Sequence, residues 1–379
     1  MYFAEMRKIW RFKTILFIVA ISVLFFASFM YQWIKPFMWD KESIGSADSL
    51  HEKMSILSTW ISQYGNSIDE KEFKEIEDNY NNILSQAYSI IDADNEPSGC
   101  RESQNDCFKA NGVNSYEDYL NYGQKAISGY DGYDYGVYSQ MRNLILQNTG
   151  HSSIYFQEYE NLIQQYKISG DIRSSILPFE VLAYTNNYLV NLMTLCLICV
   201  FFIAAPVMVG DRENNVVDAQ HSSKIGKKIY RIQYICMMIS SVIVVSLVII
   251  IAMMMWKMTG AYIFAKSDMA SFLNTENFAV ALSYKKYIVF FIIMTYLLTL
   301  GIGSMIFYLS ARSSNDISMM LKAIPALAVG YCLVLIFKNS FCESNLIYGL
   351  LGQRYCEIMA AAAVLMAGVF VNVGDYRAI

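Results

Sequence analysis

Side chains able to break bonds are few in this 379-residue chain, and their spacing is wrong for it. The three histidines are His51, His151 and His221, scattered too widely for the sequence to join them in a triad. His51-Glu52 begins an H-E-x-x-H pair, but Ser55 stands where the second metal-binding histidine would be. Gly226-Lys227 lacks the glycine five residues upstream and the hydroxyl residue downstream that a phosphate-cradling loop needs. No G-x-S-x-G nucleophile turn occurs. Cys100 and Cys107 have no histidine close in sequence to complete a zinc site. In an oxidising exterior these two would close a disulfide across a polar loop. Cys342 and Cys356 offer a second, weaker pairing. The chain is expected to be no enzyme, with no catalytic set, no metal site and no cofactor of its own.

The most informative spacing lies between Val207 and Lys228. Asp211 follows an apolar run directly, with Glu213 two residues on and Asn215 at a turn. Val216 and Val217 make a short apolar anchor. Ser222, Ser223 and Lys224 then lead through Gly226, Lys227 and Lys228 into the next apolar run. Taken by themselves, these basic residues fix topology and touch lipid headgroups.

The elements that must position this loop are membrane spans. Hydrophobic residues make up 55% of the chain and charged ones 16%, against about 45–50% and about 25% in soluble domains. That excludes a disordered or nucleic-acid-binding protein. The net charge of -4 hides two regions: residues 35–185 hold 11 basic and 23 acidic residues, the remainder 18 and 10. Six runs, 14–34, 187–210, 232–256, 287–310, 317–337 and 358–373, approach the roughly 20 apolar residues that cross a bilayer. They lack the alternation of barrel strands, so helices are predicted. Lys and Arg residues near the span ends favour both termini inside. Ahead of the first run, Tyr2, Phe3, Met6, Ile9 and Trp10 share a helical face, the pattern of a helix lying on the membrane surface.

Residues 35–185 then form one acidic insertion outside the membrane, mainly α-helical. Ser67-x-x-Glu70 reads as a capping box ahead of Phe73, Ile76, Tyr80 and Ile83. Further helices are predicted from Ser115-x-x-Asp118 and over 153–166.

The acidic residue ending the second run, the Ser-rich turn and the Gly-Lys pair together resemble the permease subunits of ABC-2 type exporters, in the six-span branch with a large outer domain after the first helix. Asp211 stands where that family has an acidic residue, Asn215 where it has glycine, Ser222-Ser223 in its turn and Gly226-Lys227 at its Gly-Arg pair. The Gly301-x-Gly303 and Leu309-Ser-Ala-Arg312 stretch resembles its fourth and fifth spans. Three departures stand out: Asp for Glu, Asn for Gly, and Gln233 where a lysine usually begins the third span.

The resemblance implies an all-α polytopic membrane protein. Residues 1–34 would carry the interfacial helix and first span, 35–185 the extracellular domain, and 186–379 five further helices with a coupling loop at 211–231. It implies a separate ABC ATPase subunit holding ATP and Mg, and a homodimer or a related permease as partner. It further implies a bacterial cell membrane, cytoplasmic termini, and a peptide (bacteriocin- or lantibiotic-like) or other amphipathic cargo. The competing class is a non-transporting receptor or scaffold whose outer domain binds a ligand or partner.

Overall fold

The computed structural model describes residues 2–38, 50–92, 118, 121, 122, 125, 163, 167, 174–213, 226–273, 282–342, 362–369 and 372. Among them every extended element is helical, and strand-like pairing is confined to isolated bridges such as Ser67 with Ser175. Five helices are long and apolar enough to cross a membrane. The sixth predicted run is described only at 362–369 and 372, which are helical.

The chain divides into two compact units. The first holds the membrane-type helices. It begins with α1 (Tyr2–Ile9); after a break, α2 (Phe12–Phe25), a π turn (Phe26–Met30) and α3 (Tyr31–Met38) make one apolar rod over Phe12–Met38. α6 (Phe179–Ala204) lies at the centre, with buried side chains on every face. Around it pack α2, α8 (Gly226–Lys257), α9 (Tyr284–Ala311) and α10 (Asp316–Cys342). The outer helices turn apolar residues outward: Leu16, Val23 and Leu24 on α2, and Leu321 and Ile324 on α10, are all exposed. Lipid tails are as apolar as these side chains, so their exposure is harmless in a bilayer. Several polar groups inside the bundle are paired with one another or with backbone, as hydrocarbon surroundings favour. Tyr287 donates to Asn186 at 2.9 Å, and Tyr188 to the Ala252 carbonyl at 2.7 Å.

Glycine sets one crossing. A Cβ on Gly301 would lie 2.8 Å from the Leu365 backbone nitrogen, and one on Gly368 would lie 2.6 Å from the Gly301 carbonyl oxygen. Segment 362–369 therefore meets α9 backbone to backbone, the close approach that small residues permit between membrane helices. Asn372 fastens the same segment, donating to the Ser304 carbonyl and accepting from the Tyr230 hydroxyl.

The second unit, 40–176 with 271–273, contains α4 (Leu50–Tyr64) and α5 (Glu70–Asp92). Met54, Leu57 and Trp60 of α4 are buried, as are Phe73, Ile76 and Tyr80 of α5. The capping box sits two residues later than the sequence suggests. The Glu72 amide donates to Asp69 Oδ1 at 2.7 Å, and Glu72 Oε2 accepts from the Asp69 amide at 3.0 Å. Ser67 instead pairs with Ser175, flanked by backbone bonds from Ile68 to Ser174 and from Ile176 to Asn66. Cys100, Cys107, the loops around them and most of the two later helices predicted for this unit lie outside the described residues. The free thiols of Cys196, Cys199 and Cys236 are buried in the helices, and that of Cys332 is exposed.

Candidate functional site: the base of the second span

Pro206 breaks the long second span. It has no N–H, so α6 stops at Ala204 and α7 (Pro206–Glu213) starts afresh, with proline at the first helical position where its missing donor costs nothing. Ser310 of α9 donates to the Ala205 carbonyl at this break, at 2.7 Å. α7 then carries Asp211 and Arg212 to opposite partners.

Arg212 reaches α9. Its Nη1 donates to the Ser313 carbonyl at 2.8 Å and its Nη2 to the Ala311 carbonyl at 2.7 Å. These are carbonyls left over at the end of a helix, where a cation also meets the negative end of the dipole.

Asp211 points the other way and is 7% exposed. Lys8 of α1 donates to its two carboxylate oxygens at 3.1 and 3.2 Å, and sits 3.0 Å from Glu5 one turn earlier. Gln233 of α8, fully buried, closes the cluster: its Nε2 donates to Asp211 at 2.6 Å and to Glu5 at 3.1 Å. Burial alone would lower the Lys8 pKa. Hydrogen bonds and charge from Glu5 and Asp211 outweigh that and hold it above the ordinary lysine value. One ammonium and one amide thus tie two carboxylates from different helices.

The resemblance drawn from sequence expects a lysine at the start of the third span, where this chain has Gln233. The structure brings a cation to that place from α1 instead, 203 residues away in the chain from Asp211. The packed face of α1 accordingly differs from the apolar face read from sequence. Glu5 and Ile9 are buried, while Tyr2 and Phe3 are exposed. The reason is electrostatic: the surface that α1 meets presents a carboxylate and an amide, so the helix turns its Glu5–Lys8 pair inward. Three further bonds hold this segment: Trp10 Nε1 to Ser240 at 2.9 Å, Ser240 to Met6 Sδ at 3.4 Å and Cys236 Sγ to the Tyr2 carbonyl at 3.6 Å.

No protein-family model, curated protein or solved structure matches this chain.

The predicted loop residues fall into three groups. Asp211 is buried where α7 approaches the loop and is not part of an exposed charged rim. Glu213 ends α7, Gly226 and Lys227 open α8, and Lys228 beside them is exposed. Asn215, Val216, Val217, Ser222, Ser223 and Lys224 lie outside the described residues. Helices therefore enter the predicted 211–231 loop from both sides. Sequence reasoning missed Glu5 and Lys8 as partners of this site. Their i, i+3 spacing was the available signal, together with a buried-type glutamine in an otherwise uncharged span.

Proposed function

We propose that this chain is the permease subunit of an ABC-2 type exporter, six helices with an outer insertion at 35–185. Its loop 211–231 meets a separate ATPase that binds ATP and Mg. It works beside a second copy or a related permease in a bacterial cell membrane, with both termini cytoplasmic. Its cargo is a peptide of the bacteriocin or lantibiotic kind, or another amphipathic compound.

One observation carries the reading: the acidic residue at the end of the second span is bonded both to α1 and to α8, the helix on the far side of the loop. A loop that only turned the chain would need no buried ion pair at its base. A loop that transmits force does, because a push on α7 or α8 must move helices and not merely bend a hinge. Through Asp211, Lys8 and Gln233, displacement of α7 is passed to α1 and α8 together. Through Arg212 it is passed to the end of α9.

The test is reconstitution with an ABC ATPase that co-purifies with this chain. Stimulated ATP hydrolysis should appear with the wild type and be lost in Glu213→Ala with Lys224→Glu and Lys228→Glu, whose melting temperature should stay near that of the wild type. An ATPase indifferent to the chain, or hydrolysis unaffected by these charge changes, would sink the assignment and favour the receptor reading.

A further inference from the structure

A cleft of about 450 Å³ runs between α2 and α8, floored by α6. Ile18, Val19, Phe26 and Ala27 line one wall, and Val244, Leu247, Val248 and Ile251 the other. Two hydroxyls reach its interior, and both are engaged. Ser22 contacts Cys199 Sγ at 3.6 Å, and Ser240 accepts from Trp10 while donating to Met6 Sδ at 3.4 Å. The interior therefore offers nothing to a polar ligand and suits hydrocarbon.

The end of the cleft near α1 is different. Ile9, Trp10 and Thr14 line it, and Arg7, Arg11 and Lys13, their close neighbours in sequence, are exposed. Glu5 is the one acid among residues 1–14, and it is buried against Lys8. The mouth is positive and the bore apolar.

Size selects among membrane occupants. Thr14 to Met30 spans about 24 Å at helical rise, and a helix of that length, about 10–12 Å across, has several times the volume of the cleft. The observed volume falls in the range of small-ligand sites, about 300–1,000 Å³. We propose that the cleft takes up one acyl chain of an anionic phospholipid between α2 and α8, with the rest of the lipid outside it and its phosphate against Arg7, Arg11 and Lys13. Such a lipid joins two helices that each pack on α6. The placement of the first span against the third then depends on the anionic lipid content of the leaflet beside α1. This site requires only that the chain lie in a membrane, not that it be a permease.

The full-length chain in mild detergent, incubated with equal amounts of phosphatidylglycerol and phosphatidylcholine, tests this by native mass spectrometry. One phosphatidylglycerol per chain should be retained, with about tenfold preference over phosphatidylcholine. Arg11→Gln with Lys13→Gln should bring that preference near unity. Ala27→Phe with Leu247→Phe, at two exposed wall positions, should cut retention of both lipids about tenfold; Val19→Phe alone gives the same reading, more weakly, if the pair misfolds. Equal retention of the two lipids by the wild type, or unchanged retention in the filled variants, overturns the proposal. So does a filled variant that turns dimer into monomer with its lipid count unaltered, which would place a second copy in the cleft.

Discussion

Replacing Lys8 with methionine removes the one ammonium from a cluster that retains two carboxylates and a single amide. The side chain of Lys8 is 37% exposed and that of Asp211 10%. Exposed ion pairs contribute about 0.2–1 kcal/mol, whereas removing one partner of a buried pair costs about 3–5 kcal/mol. Lys8→Met lies between these limits, at about 2 kcal/mol. In a unit of this size that lowers the melting temperature by about 4–8 °C. Asp211→Asn should cost less, about 1 kcal/mol, because Lys8 keeps Glu5 and the Gln233 amide can still donate to the new side-chain oxygen. The double variant should be less destabilised than the two losses added together, by about 1 kcal/mol. Thermal unfolding in detergent can be followed with a thiol-reactive fluorophore in a variant that keeps only Cys196, Cys199 and Cys236, which are buried and report opening. If the two substitutions add within about 0.5 kcal/mol, they are energetically independent. The ion pair would then be a contact without consequence, and the account of the loop base would fail.

The same pair has a pH signature. The folded-state pKa of Lys8 is raised, so its contribution is complete below the unfolded lysine value and is lost as pH climbs through the folded one. The stability gap between wild type and Lys8→Met should hold at neutral pH and close above about pH 10, as paired melting curves would show. Arg212→Ala strands two carbonyls at the end of α9 and should cost about 2–3 kcal/mol. Arg212→Lys, which lacks the fork, should recover only part of the loss in the same melting assay. Gly301→Val pushes a side chain into the backbone of segment 362–369 and should destabilise by about 1–3 kcal/mol or more. Protease protection of the C-terminal segment should fall with it, and a wild-type digestion pattern would contradict the crossing. Asp69→Ala removes the cap of α5 at about 1 kcal/mol, whereas Ser67→Ala should leave helix content by circular dichroism unchanged.

How much of this was legible in the sequence depended on whether the signal was local. The five described spans were, because an uncharged run of that length has few alternatives. The cap of α5 was legible to within two residues: Ser67 and Asp69 each have a glutamate three positions on, and the burial of Ile68 and the Ser67–Ser175 pairing select the later register. α4 went unread because Met54, Leu57 and Trp60 are interleaved with serine, threonine and glutamine, which dilute the periodicity. Asp211 stands out in the sequence as a candidate, but its partners do not. Lys8 reads as one more topogenic charge until the fold places it beside a carboxylate more than 200 positions away. No helical period encodes a contact of that range.

The central position of α6 has a consequence for how the protein is made. Most of the apolar stretch of this helix ends up inside the protein and away from lipid. Its leucines and cysteines are therefore read twice: first by the insertion machinery, which sees only an isolated greasy segment, and later by neighbouring helices, which see a packing surface. A polar substitution such as Leu192→Asn could find a partner in the finished bundle and still be rejected at the first reading, when no neighbour exists. Defects in this helix should therefore appear as failed membrane integration during synthesis, before any loss of stability in the assembled protein can be measured.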